Sequence, residues 1–295
     1  MTKSTILKIS LILIAILVVG GAIYFFDWRI LLGGPKTVDP SNTAVEFLEG
    51  TNDIRITGEQ NFSISPDGTW ILYYSEQGNP FEPVYVLYDI EKRERHGVGL
   101  SSRAKDLAAE GRGPLRDIGC WDRSGEKVVL REEIILFALD VSSNHLEWEV
   151  LENVDAATLS YYRNCPSTSP QFESKVKVNQ ASPKEVHLVD AQNPERILAT
   201  HEAHGATVHR ILIQYPTISP DGKHVAYIVT EFRGTFVASS YGYILDITPE
   251  SPTEAKPLAD PVFGPIRWSP DSAFVYASAR EFRKGDGIYR WRIGK

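Results

Sequence analysis

Two short segments of the chain repeat the same combination of charged and aromatic side chains. Glu231-Phe232-Arg233 and Glu281-Phe282-Arg283 follow a Ser-Pro-Asp turn at equal distances. Arginine presents forked donors that suit carboxylates and phosphates, and the neighbouring phenylalanine adds an aromatic surface. Together with Glu76 in another loop, these residues predict a charged, aromatic-lined binding face. The alternative is inherited repeat similarity with solvated side chains.

Three histidines form the second candidate site. His201, His204 and His209 lie close together in the sequence, and neutral imidazole is the commonest metal ligand in proteins. Their spacing differs from His-Glu-x-x-His, and zinc sites built on closely spaced histidines usually need cysteine or carboxylate ligands from elsewhere. We therefore favour a polar loop with incidental histidines, and we predict no metal and no other cofactor.

The elements that position these residues follow from a repeated turn phrase. It reads Ser-Pro-Asp-Gly at 65–68 and 219–222, Ser-Pro-Asp-Ser at 269–272, and Asp-Arg-Ser-Gly at 122–125. Proline presets φ, aspartate accepts backbone N–H groups, and glycine takes the left-handed conformation. A run rich in β-branched and aromatic residues follows each copy, such as Trp70–Tyr74 and Phe274–Ala277. The expected structural turn residues are Asp67, Gly68, Asp221, Gly222 and Asp271.

The copies recur with a period of about 50 residues, which indicates a propeller or a solenoid. A fifth, degraded repeat begins near Ser169 and keeps its later strand at Val186–Asp190. With Trp121 and Trp268 directly before their turns, the pattern resembles the WD40-like repeat of TolB-family propellers. The resemblance implies an all-β propeller of four-stranded antiparallel blades. Five blades are predicted, and six is the alternative.

The last repeat stops before its outer strand. A propeller removes exposed sheet edges by closing on itself, so we expect an N-terminal strand to complete the last blade. Ala44–Phe47 and Ile54–Ile56 are the two candidates. The early stop and the lack of a Gly-x-Ser-x-Gly elbow also speak against a hydrolase domain of the prolyl-oligopeptidase type.

An apolar run near the N-terminus predicts a membrane anchor. Residues 9–28 are long enough to span a bilayer; a cleaved signal peptide is the competing interpretation. Lys3 and Lys8 place the tail of residues 1–8 in the cytoplasm. Residues 29–43 then form a linker, and residues 44–295 form the propeller on the extracytoplasmic (periplasmic or extracellular) side.

Composition narrows the choice of partners. The formal net charge is −7 and there is no basic stripe, so we expect no nucleic-acid binding.

The two cysteines, Cys120 and Cys165, occupy equivalent positions before neighbouring turns. They form either one disulfide, if the compartment is oxidising, or two small buried thiols.

Three functions remain open from the sequence. The first is a membrane-anchored extracytoplasmic propeller that binds a protein or envelope component as a scaffold. The second is a metal-dependent or hydrolytic enzyme that uses the loop-rich face opposite the turns. The third is a structural subunit of a membrane complex.

Overall fold

Strands dominate the part of the chain that the computed structural model describes. The described residues are 45–54, 62–75, 84–110, 120–122, 124–132, 135–143, 145–152, 154–155, 157–158, 160, 175–248, 254–259, 261–281 and 285–293. All the strands belong to one compact unit that spans residues 38–203 and 207–295. Within the described residues they fall into five successive antiparallel groups.

The first two groups are four-stranded meanders. Group one consists of β2 (Phe62–Ile64), β3 (Trp70–Ser75), β4 (Val84–Asp89) and β5 (Glu94–Leu100). Group two consists of β6 (Cys120–Trp121), β7 (Lys127–Glu132), β8 (Ile135–Asp140) and β9 (Glu147–Leu151). Helix α1 (Ser102–Ala109) connects them, and the Ser101 hydroxyl caps its N-terminus. The outer strands β5 and β9 also pair in parallel, which joins the two groups into one sheet.

The next two groups share a second apolar core. Group three shows strands β10 (Val176–Ser182), β11 (Glu185–Asp190) and β12 (Ile197–Glu202), and group four consists of β13 (Arg210–Ile218), β14 (His224–Arg233), β15 (Phe236–Asp246) and β16 (Lys256–Ala259). Val186 and Leu188 pack against Ile211 and Tyr227 between the groups. The degraded repeat, which is the third in chain order, therefore forms strands despite its missing turn phrase.

The last group is completed by the N-terminal strand. It contains β17 (Val262–Trp268), β18 (Phe274–Glu281), β19 (Gly285–Arg292) and β1 (Val45–Phe47). Strand β1 pairs antiparallel with β19, with Val45 opposite Trp291 and Phe47 opposite Tyr289. The expectation that the segment ending at Phe47 supplies the fourth strand is confirmed. Of the other candidate the structure describes only Ile54, which forms an isolated antiparallel bridge with Ser75 of β3.

The turn phrases share one hydrogen-bonding scheme. In each of the three Ser-Pro-Asp copies the serine hydroxyl donates to the aspartate carboxylate at 2.5 Å, for example from Ser65 to Asp67. The same carboxylate accepts the backbone N–H two residues later. Gly68 has a φ of +76°, and Ser272 adopts +61° where the other copies have glycine. The composition of the phrase is thus explained by the turn it forms.

Successive turns also contact each other. The backbone N–H of Asp221 donates to the Ser272 hydroxyl at 3.0 Å. A Cβ added at Gly68 would lie 3.2 Å from the Pro270 ring, and one at Gly125 would lie 3.2 Å from the Asp67 carboxylate. These contacts place the turns of groups four, five, one and two next to one another on one face of the unit.

No helix in the described part of the chain is long and apolar enough to cross a membrane. The predicted anchor at residues 9–28 and the linker at 29–43 lie outside the described residues.

Candidate functional site

The hairpin of β14 and β15 carries the most exposed apolar side chains in the described chain. The two strands pair from His224 opposite Asp246 to Arg233 opposite Phe236. Gly234, with a φ of +61°, makes the tight turn between them. Phe236 is 78 % exposed and Val237 is 59 % exposed, while residues further down the hairpin are buried. The tip of the hairpin is therefore an apolar surface on a regular, hydrogen-bonded support.

The residues predicted to form a charged face lie partly inside this hairpin. Glu231 is only 2 % exposed, and Phe232 and Arg233 are half-buried. The sequence predicts that residues 230–234 form a loop, but β14 continues to Arg233 and pairs with β15 along its whole length. Glu231 is therefore a strand residue, and its burial contradicts the expectation of a solvent-facing side chain. Phe236 and Val237 were missed, although a Gly-Thr turn between two β-rich runs is a recognisable hairpin signal.

The second Glu-Phe-Arg segment also begins inside a strand. Glu281 is the last residue of β18 and pairs with Gly285, while Phe282, Arg283 and the predicted loop residue Glu76 lie outside the described residues. Beside this segment Arg280 binds Asp286 with two contacts of 2.5 and 2.9 Å, and its guanidinium lies 5.8 Å from the centre of the Phe263 ring. This side of the predicted face is consequently a strand end held by an ion pair.

The three histidines have different environments. His201 is 9 % exposed, and its Nε2 lies 2.9 Å from the Tyr227 hydroxyl. Its ring also packs 4.5 Å from the centre of the Tyr243 ring. His204 and His209 are exposed. Across the residues that the structure describes, no three His, Cys, Asp or Glu side chains come together as a metal site, so the enzyme hypothesis gains no observation.

A buried carboxylate, Asp53, was not found from the sequence. It accepts hydrogen bonds from Ser75 at 2.6 Å and Tyr73 at 3.0 Å, and an ion pair from Arg95 at 2.5 Å. Burial by itself would raise the pKa of Asp53, but the three donors and the arginine charge outweigh it and lower that pKa. Residues 20 or more positions apart meet here, which explains why no local pattern revealed the cluster.

A second ionic cluster lies between the first and last strand groups. Glu46 of β1 binds Arg290 of β19, at 2.6 and 2.7 Å, and Arg93 in the turn before β5. A cavity of 370 Å³ is lined by both arginines together with Gly68, Thr69, Ile90 and Glu91. The neighbouring Tyr88 hydroxyl is buried without a hydrogen-bond partner among the described residues, and burial raises its pKa.

Two arginines around the start of β5 pair with carboxylates near the first strand of the chain. Arg93 and Arg95 alternate with glutamates in the sequence, a pattern typical of a solvated turn. Both side chains are about half exposed, yet each has a defined carboxylate partner from residues 45–54. The segment that closes the last group thus also holds the outer part of the first.

The structure describes one of the two cysteines that were considered as a disulfide pair. Cys120 is buried and disulfide-bonded. Cys165, its predicted partner, lies outside the described residues.

Comparisons with known proteins add propellers as structural neighbours. The sequence matches no protein-family model and no curated protein. An oligogalacturonate lyase in complex with manganese aligns over 85 % of this chain and 93 % of its own, with 10 % identity and a TM-score of 0.35. The putative TolB from Agrobacterium tumefaciens aligns over 80 % and 90 %, with 12 % identity and a TM-score of 0.30. The Cps50 (Swd1) β-propeller domain of Myceliophteria thermophila aligns over 83 % of this chain and 99 % of its own, with 11 % identity and a TM-score of 0.31. Because the TM-scores and identities are this low, the fold follows from the strand pairings described above and not from these similarities.

Proposed function

We propose that this chain is a membrane-anchored, extracytoplasmic five-bladed β-propeller that acts as a protein-binding scaffold. The observation that carries the proposal is the apolar tip of the β14–β15 hairpin, where Phe236 and Val237 are 78 % and 59 % exposed. Exposed apolar patches with polar rims mark interaction sites in soluble domains. A projecting aromatic residue on a rigid support fits the anchor role found at interface hot spots. The partner is then an envelope protein with an apolar pocket for this tip.

The five-bladed ring is supported by the order of contacts between groups. Strand β1 completes the last group, and the first and last turns touch at Gly68 and Pro270. Radial closure of this kind leaves no long unpaired strand edge. The scaffold would therefore present the hairpin on a support with little freedom to move.

The extracytoplasmic location is supported by two independent features. The apolar run at residues 9–28 has the length of a transmembrane helix, with Lys3 and Lys8 before it. The disulfide at Cys120 fits an oxidising compartment, because such bonds are rare in the reducing cytosol.

The hairpin assignment is tested by removing apolar surface at two places. Phe236→Ser with Val237→Thr removes the tip, and Ile197→Thr removes an exposed residue of a different strand, 48 % exposed, as the matched control. Partner recovery after crosslinking of the full-length protein in its membrane is expected to fall about tenfold or more for the tip variant, since hot-spot residues cost at least 2 kcal/mol each. The control should bind as the original protein does. Equal recovery from both variants, with unchanged thermal unfolding, would exclude the tip as the binding surface.

A further inference from the structure

The innermost strands of adjacent groups are joined by a recurring tryptophan contact. Trp121, directly before the second turn, donates its indole N–H to the Ser63 hydroxyl of group one at 3.0 Å. Trp268, directly before the last turn, donates to the Thr217 carbonyl of group four at 3.2 Å. In each case the acceptor residue stands two positions before its own turn. The contact therefore pairs a donor on one group with an acceptor on the preceding group.

The junction between the last and the first group departs from this pattern. Ile64 stands where Trp121 and Trp268 stand before their turns, as Ile218 does in group four, and Arg267 stands where Ser63 and Thr217 stand. Isoleucine is smaller than tryptophan and has no polar hydrogen. The arginine has only donors. This junction therefore lacks the tryptophan donor, and neither of the two side chains can accept a hydrogen bond.

The side chain of Arg267 faces the first group. Its neighbours along β17, Ile266 and Trp268, pack on the opposite side against Ala226 and Ile228 of β14. Successive side chains of a strand point to opposite faces. Tyr276, directly across from Arg267, packs with Phe62 and Ile71 of group one.

Among the residues that the structure describes, no hydrogen bond and no ion pair reaches the guanidinium of Arg267, although this side chain is half-buried. Burial lowers its pKa to about 10, so it remains charged at neutral pH. A cation that is withdrawn from water without a counter-charge raises the free energy of the folded state.

The nearest acid of the same row is already engaged. Arg267, Tyr276, Arg290 and Glu46 lie opposite one another across four adjacent strands. Glu46 binds Arg290 and Arg93, and three strand spacings separate it from Arg267 by about 14 Å. The Arg290 charge also acts on the neighbouring Tyr276 hydroxyl. The row carries two arginines and one glutamate, with Arg93 beside it, which leaves the Arg267 end positive.

We infer that Arg267 binds a small oxyanion, a carboxylate or a phosphate group, between the innermost strands of the last and first groups. The guanidinium fork presents two parallel N–H donors to such an anion. The anion would supply the hydrogen-bond acceptor that the described residues do not offer to this guanidinium. This site differs from the hairpin tip and does not depend on the proposed function.

The test measures anion binding to the full-length protein in detergent. Inorganic phosphate and acetate are added separately at constant ionic strength set with chloride, and binding is followed by calorimetry and by the shift in thermal midpoint. Arg267→Met removes the site, while Arg292→Met removes an exposed arginine of β19 and serves as the control. At least one of the two anions is expected to bind the original protein and the control. The stronger of the two identifies the chemical class of the ligand.

The expected result is a dissociation constant raised about tenfold or more in Arg267→Met, because a hydrogen bond to a charged group contributes roughly 1.5–3 kcal/mol. Without added anion, this variant should unfold at a temperature no lower than that of the original protein. Arg267→Lys keeps the charge but loses the fork, so its affinity should fall between the two. The inference is overturned if neither anion binds, if all variants bind equally, or if Arg267→Lys binds as tightly as the original protein.

Discussion

At the scale of single residues, Asp53 shows how one buried carboxylate organises its surroundings. Its side chain accepts from Tyr73 and Ser75 of β3 and from Arg95 of β5. It thereby fixes the segment after β1 to the first strand group. The carboxylate is fully buried while Arg95 is 42 % exposed, and the hydrogen bond from Ser75 is the largest of the interactions that lower the pKa of Asp53.

We predict that Asp53→Asn lowers the free energy of unfolding at pH 7 by about 2 kcal/mol, because hydrogen bonds to a buried charged group are lost. The folded-state pKa of Asp53 is lowered, so its contribution is complete above the unfolded pKa of about 4 and is lost as the pH falls through the folded value. Urea unfolding at pH 7 and in the acid range checks both statements. Asp106→Asn, on the exposed face of α1, is the control. A difference between variant and original protein that does not shrink in acid would contradict this account.

At the scale of elements, β1 is the strand on which the closure of the last group depends. It is three residues long, yet it pairs with β19, contributes Glu46 to Arg290 and packs the Phe47 ring against Tyr289 at 5.1 Å. Gly287 provides the room for that ring, since a Cβ there would lie 2.3 Å from it. The fit between β1 and β19 is thus specific to these residues.

We predict that a chain beginning at residue 48 is less stable than one beginning at residue 40 by about 2–3 kcal/mol, the worth of burying one large apolar side chain. Loss of β1 also exposes the edge of β19, and unpaired edges promote association between chains. Urea midpoints and light scattering at several concentrations measure the two effects. Identical midpoints for both chains would show that β1 does not stabilise the closure.

At the scale of the whole molecule, the disulfide and the predicted anchor both agree with the proposed extracytoplasmic compartment. Cys120 is disulfide-bonded. It directly precedes Trp121, whose indole N–H donates to Ser63 of group one. The chain has two cysteines, so Cys165 is the only intramolecular partner that the sequence offers. A propeller held outside the cytoplasm would keep this bond oxidised.

We predict that maleimide labels neither cysteine of the full-length protein from cells until a reductant is added, and labels both afterwards. Cys120→Ser should lower the free energy of unfolding by about 2–4 kcal/mol, the usual effect of losing a native disulfide. Cys165→Ser should do the same, and the double variant should be no less stable than either single one. Labelling of both thiols before reduction would contradict the disulfide and weaken the extracytoplasmic assignment. A reporter fused after Lys295, active only outside the cytoplasm, tests the topology separately.

The sequence by itself determined the strand order and the turns. Ser-Pro-Asp-Gly encodes a turn within four residues, and Val186–Asp190 was recognised in the degraded repeat from its position in the period alone; β11 at Glu185–Asp190 confirms it. The missing outer strand predicted that one of two N-terminal segments completes the last group, and the pairing of Val45–Phe47 with β19 shows which one does. Local turn chemistry and a regular period carry this information because each repeat must bury its own side chains against the next.

Only the tertiary structure decided which side chains face solvent and which meet across the closure. Glu231 lies in a strand that continues beyond its expected end, and its side chain is buried. Asp53 finds Arg95, and Arg267 faces the group of Ile64, across sequence separations that no local pattern spans. The sequence determines which side chains carry charge. The hydration and the partners of a charged side chain depend on which strands the folded chain places beside it.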